Sequence, residues 1–416
     1  MLGRLTVIGL AVIAVVLGSG CAEEFQGREP LDKGLHYPLG MAVDEIHGLL
    51  YVVNSNFDLA YSLASVVSVS LDGVKSGNWE FKSANAAMES FPGEFILVRG
   101  SGGDQRGYLS VRGDNSVTWF NVLSPGAGGG VPVLDCGGLD EGGSAVCVGE
   151  HVIAKAPAPE WAEDEDEIVV GSDPYGLAYV QGRDGEGDYL VSAGMRDGAM
   201  ALMQIGADGK PVPVDRITVT PGLHSLAVDP VTRDIYATTK SYPVVYRYRI
   251  AYPAGKPKLE LVSAITMPAP FSTADFGRGI AVTPDGRYAL VASRTPNALL
   301  VMDAQVSPLG DSERAVRAIP LDGKPGQVRV FASGKDGASV AYVLSFSDDR
   351  VWAFDVASLQ PRAVIRTSDG PYDMAAIIND KMKLGFVSNF LQHTISVIDL
   401  DFASETYHTI IGEIQP

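Results

Sequence analysis

The sequence predicts an all-β chain folded as one seven-bladed β-propeller, with four-stranded antiparallel blades around a central channel. Three observations predict it. A unit of apolar strand, tight polar turn and second apolar strand returns seven times, clearly in RYALVASRTPNALLVMDA at 287–304. An aromatic residue sits at the equivalent point of the second strand in every copy: Tyr51, Tyr108, Tyr189, Tyr236, Tyr288, Tyr342 and Phe386. Finally, 47 glycines and 25 prolines fall without any collagen-like period, as expected of a chain with many tight turns.

In chain order, the first element is an address. MLGRLTVIGLAVIAVVLGSGC carries one charge, Arg4, then an apolar run from Leu5 to Leu17, then small residues and Cys21. This pattern over 1–20 is that of a secretory signal peptide, and its 13-residue run falls short of the roughly 20 that a spanning helix needs. Cys21 after Gly-Ser-Gly resembles the lipobox of bacterial lipoproteins, although Gly18 stands where that motif prefers Leu. The resemblance implies acylation of the Cys21 thiol, a lipid-anchored envelope protein and, with Ala22 following, the outer membrane, facing periplasm or cell surface. Ordinary cleavage that leaves a free thiol is the alternative. Residues 21–35 are the lipidated cysteine and a polar tether.

The propeller is expected over 36–416. Each copy opens on a short strand: PLGMAVD, PGEFILV, PYGLAYV, LHSLAVD, GRGIAVT, PGQVRVF and PYDMAAI. Turns such as PDG and TRD lead into the second strand. A third strand alternates in polarity and often ends in Asp, as in LLVMDA, VWAFDV and ISVIDL. Weaker fourth strands follow, among them WEFKSA, HVIAKA and AVIRTS, as suits an edge position. A lone blade has two apolar faces and can bury neither; wedging it between neighbours in a closed ring buries both. Because the chain starts on an innermost strand and ends on an outermost one, the termini should share no strand.

The aromatic positions are spaced by 57, 81, 47, 52, 54 and 44 residues, so the outlier places one large insertion at about 123–172. It holds Cys136, Cys147 and the acidic run from Glu163 to Glu167. Outside the cytoplasm, two cysteines so close form a disulfide most simply, which for such a loop contributes about 3 kcal/mol. The formal net charge of −18 argues against nucleic acid as a partner, because phosphate backbones need clustered Lys and Arg.

YVVNSN and FVSNFLQHTISVIDL resemble the YVTN-type repeat propellers, relatives of lactonase-like and nitrite-reductase-like propellers. The resemblance covers about 36–416. It implies the fold and, more weakly, either a binding scaffold or a hydrolase.

In such a ring the connections from fourth to first strand, and from second to third, crowd the channel mouth, where seven blades can converge on one ligand. These connections supply Asn54, Asn56, Asp58, Arg112, Asp114, Asp173, Tyr175, Arg196, Asp197, His224, Lys240, Asp275, Arg278, Arg294, Lys324, Asp348, Tyr372, Asp373, Asn389 and His393. The sharpest ligand candidates are Asn56, Arg112, Asp173, Arg196, Asp197, Lys240, Arg278, Arg294, Asp348 and Asn389. His224, Asp275 and His393 are the candidate catalytic groups. No Gly-x-Ser-x-Gly elbow or His-Glu-x-x-His helix occurs. Asp184, Glu186 and Asp188 have the opening spacing of a calcium loop, but Tyr189 takes the place of its glycine and Met195 that of its closing Glu. No cofactor is expected, with a divalent cation at the mouth as the alternative. The leading expectation is an envelope-anchored scaffold for a small molecule or protein; the alternative is a periplasmic lactonase or other hydrolase at the mouth. A redox quinoprotein subunit is a third reading, weakened by the lack of a haem-attachment motif.

Overall fold

The computed structural model describes residues 27–100, 104–125, 130–154, 170–183, 186–267, 275–305 and 315–416. The signal segment, Cys21, the Glu163 to Glu167 run and Asp184 lie outside the described residues. Within them the chain forms seven sheets arranged as propeller blades. Blades three to seven are uninterrupted four-stranded meanders; blade four, for example, runs through Leu223–Val228, Ile235–Thr239, Val244–Ala251 and Lys258–Thr266. No described helix is long and apolar enough to cross a membrane.

The residues that close strands do so by a local bond. Asp229 Oδ1 accepts the backbone N–H groups of Val231 and Thr232, and Asp44 Oδ1 those of Ile46 and His47. Asp303, Asp355 and Asp399 accept in the same way from Gln305, Ser358 and Asp401. A short carboxylate that satisfies the turn's own amides explains why so many strands stop at Asp. All seven ring aromatics are buried, Tyr288 most accessibly at 7%. Tyr108 reaches the next blade, donating its hydroxyl to Gly209 O at 2.8 Å.

The ring closes by packing. Blade seven is built entirely from the C-terminal strands Pro371–Ile378, Lys383–Asn389, Thr394–Asp399 and Ile410–Ile414. Its Leu384, Phe386, Ile395 and Val397 form one apolar cluster with Leu50, Val52, Val67 and Val69 of blade one. A hydroxyl staple crosses the same seam: Ser388 Oγ donates to Leu39 O at 2.7 Å and accepts from Asp373 N–H. Ser110 and Thr238 make the equivalent bonds to Tyr175 O and Arg278 O, so one second-strand hydroxyl fixes the next blade's innermost strand.

The insertion behaves differently from a plain loop. Gly137–Leu139 and Ala145–Cys147 form a hairpin, and the latter runs parallel beside Phe81–Met88, extending blade one to six strands. In blade two, Val152–Ile153 of HVIAKA pairs at the outer edge with Ser116–Leu123, and Val133–Asp135 pairs with the same strand. The expected single fourth strand is therefore two short pieces, because the chain leaves to cover its neighbour's edge before it returns. Cys136 and Cys147 are joined as a disulfide inside the apolar cluster shared by blades one and two.

Blade seven also carries a pH-sensitive contact. His408 Nε2 lies 2.9 Å from Tyr342 Oη of blade six, and burial pulls its pKa from 6.5 down to about 4. The native state holds it neutral, so its contribution is complete above pH 6.5 and declines as pH falls toward 4. Between pH 7 and pH 5, His408→Asn should lose about 2 kcal/mol less stability than the parent chain. Asn also tolerates the left-handed backbone there, φ 62°. Urea unfolding at the two pH values measures the difference, and equal losses would refute the assignment.

Candidate functional site

Two rings of seven residues build the channel mouth, each ring fixed by a repeated backbone feature. The first ring is the second residue of each innermost strand: Leu39, Gly93, Tyr175, His224, Arg278, Gly326 and Tyr372. In every blade the pairing register breaks just after the strand begins, as between Pro371 and Met374 or Pro174 and Gly176. Such a bulge re-aims side chains at a rim. The second ring is Ser55, Arg112, Met195, Lys240, Arg294, Phe346 and Phe390, at the end of each second strand. Each donates its backbone N–H to the residue just before the innermost strand: Tyr37, Phe91, Asp173, Gly222, Phe276, Lys324 and Gly370. Tyr37, Phe91 and Asp173 hold positive φ angles of 48°, 62° and 57° at this point, a costly conformation for non-glycine residues.

The residues of the two rings except Gly93, with Phe57, Phe91, Pro92, Gln327 and Pro371, line one cavity of about 370 Å³, within the range of small-molecule sites. Its floor is a phenol bridge: the hydroxyls of Tyr175 and Tyr372, from blades three and seven, lie 2.6 Å apart. Burial pushes both phenols above their ordinary pKa. Below, Glu94 accepts from Leu177 N–H at 3.0 Å and Ser225 Oγ at 2.7 Å, and Arg329 Nε donates to Asp373 at 2.9 Å. Burial raises the Glu94 carboxyl, opposed chiefly by Arg329. Each of these charged groups is hydrogen-bonded within the protein.

The walls are unlike one another. Blades two, four and five contribute Arg112, Lys240, Arg278 and Arg294. Arg112 Nε donates to Asp173 Oδ1 at 2.5 Å, and Arg278 pairs with Asp275. Lys240 and Arg294 have no carboxylate partner among the described residues; Arg294 Nε instead donates to Pro325 O at 3.2 Å. Burial lowers the pKa of both, and the neighbouring Arg278 lowers them further. His224 packs on Tyr175 with ring centroids 4.2 Å apart. Burial, then Arg278, Lys240, Arg294 and Arg112, hold its pKa well below 6.5, so it is neutral at pH 7, and its buried Nδ1 has no partner among the described residues. The opposite wall, from blades six, seven and one, is aromatic. Phe390 lies 5.4 Å from Phe57, 5.0 Å from Tyr37 and 6.2 Å from Phe346.

Of the residues expected from sequence, Arg112, Lys240, Arg278, Arg294 and His224 therefore meet in one cavity, with Asp173 and Asp275 as partners of two of the arginines. Asn56 and Asp197 serve turns: Asn56 Nδ2 donates to Tyr61 O and Ser90 Oγ, and Asp197 accepts from Ser172 and Ala199 N–H. Asn389 is buried, donating to Thr394 and Ser396. Asp348 pairs with Arg350, and Arg196 is exposed outside the lining. His393 belongs to the rim, 4.9 Å from His36, which itself bonds Asp58. A search for polar groups misses Leu39, Phe57, Met195, Phe346 and Phe390. Aligning the residue that follows each second strand would have found the last three. Among the described residues no three His, Cys, Asp or Glu side chains converge on a cation site, and the two carboxylates beside the cavity's arginines, Asp173 and Asp275, are paired with Arg112 and Arg278; the cavity's donor set does not fit a divalent cation.

No family model and no curated protein matches the chain. Solved structures do. A periplasmic gluconolactonase of Pseudomonas aeruginosa is 18% identical over 81% of this chain and 87% of its own, with a TM-score of 0.56. A candidate 6-phosphogluconolactonase of Bacteroides uniformis is 14% identical over 80% and 86%, TM-score 0.55. Hydrazine synthase of Kuenenia stuttgartiensis is 14% identical over 90% and 98%, TM-score 0.56. At these identities the likeness is one of fold.

Proposed function

We propose that this protein is a binding module of the cell envelope, tethered through Cys21, that captures a small anionic ligand at the mouth of its channel. One observation carries the reading: on a chain of net charge −18, the cavity at the hub gathers four cationic side chains, two of them without carboxylate partners among the described residues. A low-dielectric cleft focuses such a field, and a bound anion relieves the repulsion from Arg278 that adds to burial in depressing Lys240 and Arg294. The test is thermal unfolding at low ionic strength with citrate or the neutral polyol xylitol. Citrate at a hundred times its Kd should add about 2.7 kcal/mol of stability, and xylitol none; equal, small effects would count against the reading.

Lactone hydrolysis at the same mouth is the second reading, supported by the neutral His224 on the cavity lining and by the gluconolactonase-type neighbours. His224 would take a proton from water as its oxygen adds to the lactone carbonyl. The ring C–O bond then breaks and the leaving oxygen recovers that proton, giving a hydroxy acid. An anionic substrate beside the cations would also lift His224 toward a useful basicity. Turnover of δ-gluconolactone, lost in His224→Ala and retained in His393→Ala, is the expected result on this reading; no turnover above the uncatalysed rate would retire it.

A further inference from the structure

We infer that the ligand is two-ended, an organic acid whose anionic head faces blades four and five and whose planar apolar body lies against blades six, seven and one. This rests on the anion reading and goes beyond it by assigning the other half of the site. The cationic wall is Lys240, Arg278 and Arg294; the wall across the ring is Phe57, Phe346 and Phe390, all lining the same cavity. Phe57 is 57% exposed although three aromatic neighbours lie within reach, so a large apolar face remains open at the lip. A site for inorganic anions needs no such wall, and a docking site for a neutral ring needs no buried cations.

The polarity follows from the second ring in blade order: Ser55, Arg112, Met195, Lys240, Arg294, Phe346, Phe390. Of these seven equivalent backbone positions, the adjacent pair Lys240 and Arg294 is cationic and the next pair, Phe346 and Phe390, is aromatic, while Arg112 stands apart beyond Met195. The paired arcs orient a ligand as well as holding it. Between the walls, the Tyr175–Tyr372 bridge and the neutral His224 line the same cavity and form its polar floor.

Calorimetric titration of the purified protein with acetate, 2-naphthalenemethanol and 2-naphthoate separates the two ends. The naphthoate should bind at least tenfold more tightly than either other probe. Phe57→Ala, at an exposed rim position that the fold does not need, should weaken 2-naphthoate about fivefold and leave acetate unchanged. Arg294→Met should weaken both acids and leave the alcohol unchanged. If acetate and naphthoate bind equally, the apolar half is idle and this inference falls while the anion reading stands. If the alcohol binds as well as the naphthoate, or nothing binds, both readings fall together.

Discussion

Replacing Lys240 and Arg294 together by methionine is expected to weaken 2-naphthoate binding about a hundredfold, the loss of two charge-assisted contacts at roughly 1.4 kcal/mol each. Methionine keeps the length and apolar stem of both side chains, so the cavity wall is retained while its field is removed. A second readout accompanies the first. His224 is held down by burial and by the surrounding cations, so removing two of them should raise its pKa, visible in the imidazole NMR titration. The sign is fixed: fewer positive neighbours make protonation easier. Unchanged affinity, or a His224 that titrates lower, would contradict the electrostatic account.

Phe386→Ala should destabilise the protein by about 3–5 kcal/mol, the cost of a large aromatic cavity in a closed core. Phe386 is fully buried at the seam between the last blade and the first, where it meets Leu50, Val52 and Val67. The comparison variant is Leu261→Ala, 56% exposed on the outer strand Lys258–Thr266 of blade four, for which a loss under about 0.5 kcal/mol is expected. Chemical denaturation distinguishes the two. A loss below 1 kcal/mol for Phe386→Ala would mean that the seam contributes little and that the ring is held elsewhere.

The blades were legible because a repeated unit must repeat its burial. Tyr51 through Phe386 mark one buried point in seven equivalent second strands, and no other all-β arrangement uses one register seven times. The insertion was only half legible. Its length and cysteines located it, but Ala145–Cys147 pairs with a strand of the preceding blade, a non-local choice that no local pattern encodes. At the mouth, charged residues stood out because charge at a turn is chemically conspicuous. Phe346 and Phe390 did not, because a phenylalanine beside a strand reads as core until the backbone bond at the end of the second strand is seen to hold it at the channel mouth. The repeat itself held the missing information: whatever residue occupies the position of Arg112 or Arg294 in the other blades must face the same space.

The central claim is that the mouth is polarised and takes an acid in one orientation. Its most direct test is a crystal structure of the protein soaked with 4-bromobenzoate, with the bromine located by anomalous scattering. The account predicts a bromine peak beside Phe346 and Phe390, with the carboxylate reaching Lys240 and Arg294 across the cavity. A bromine on the cationic side, or none in the cavity, would contradict it.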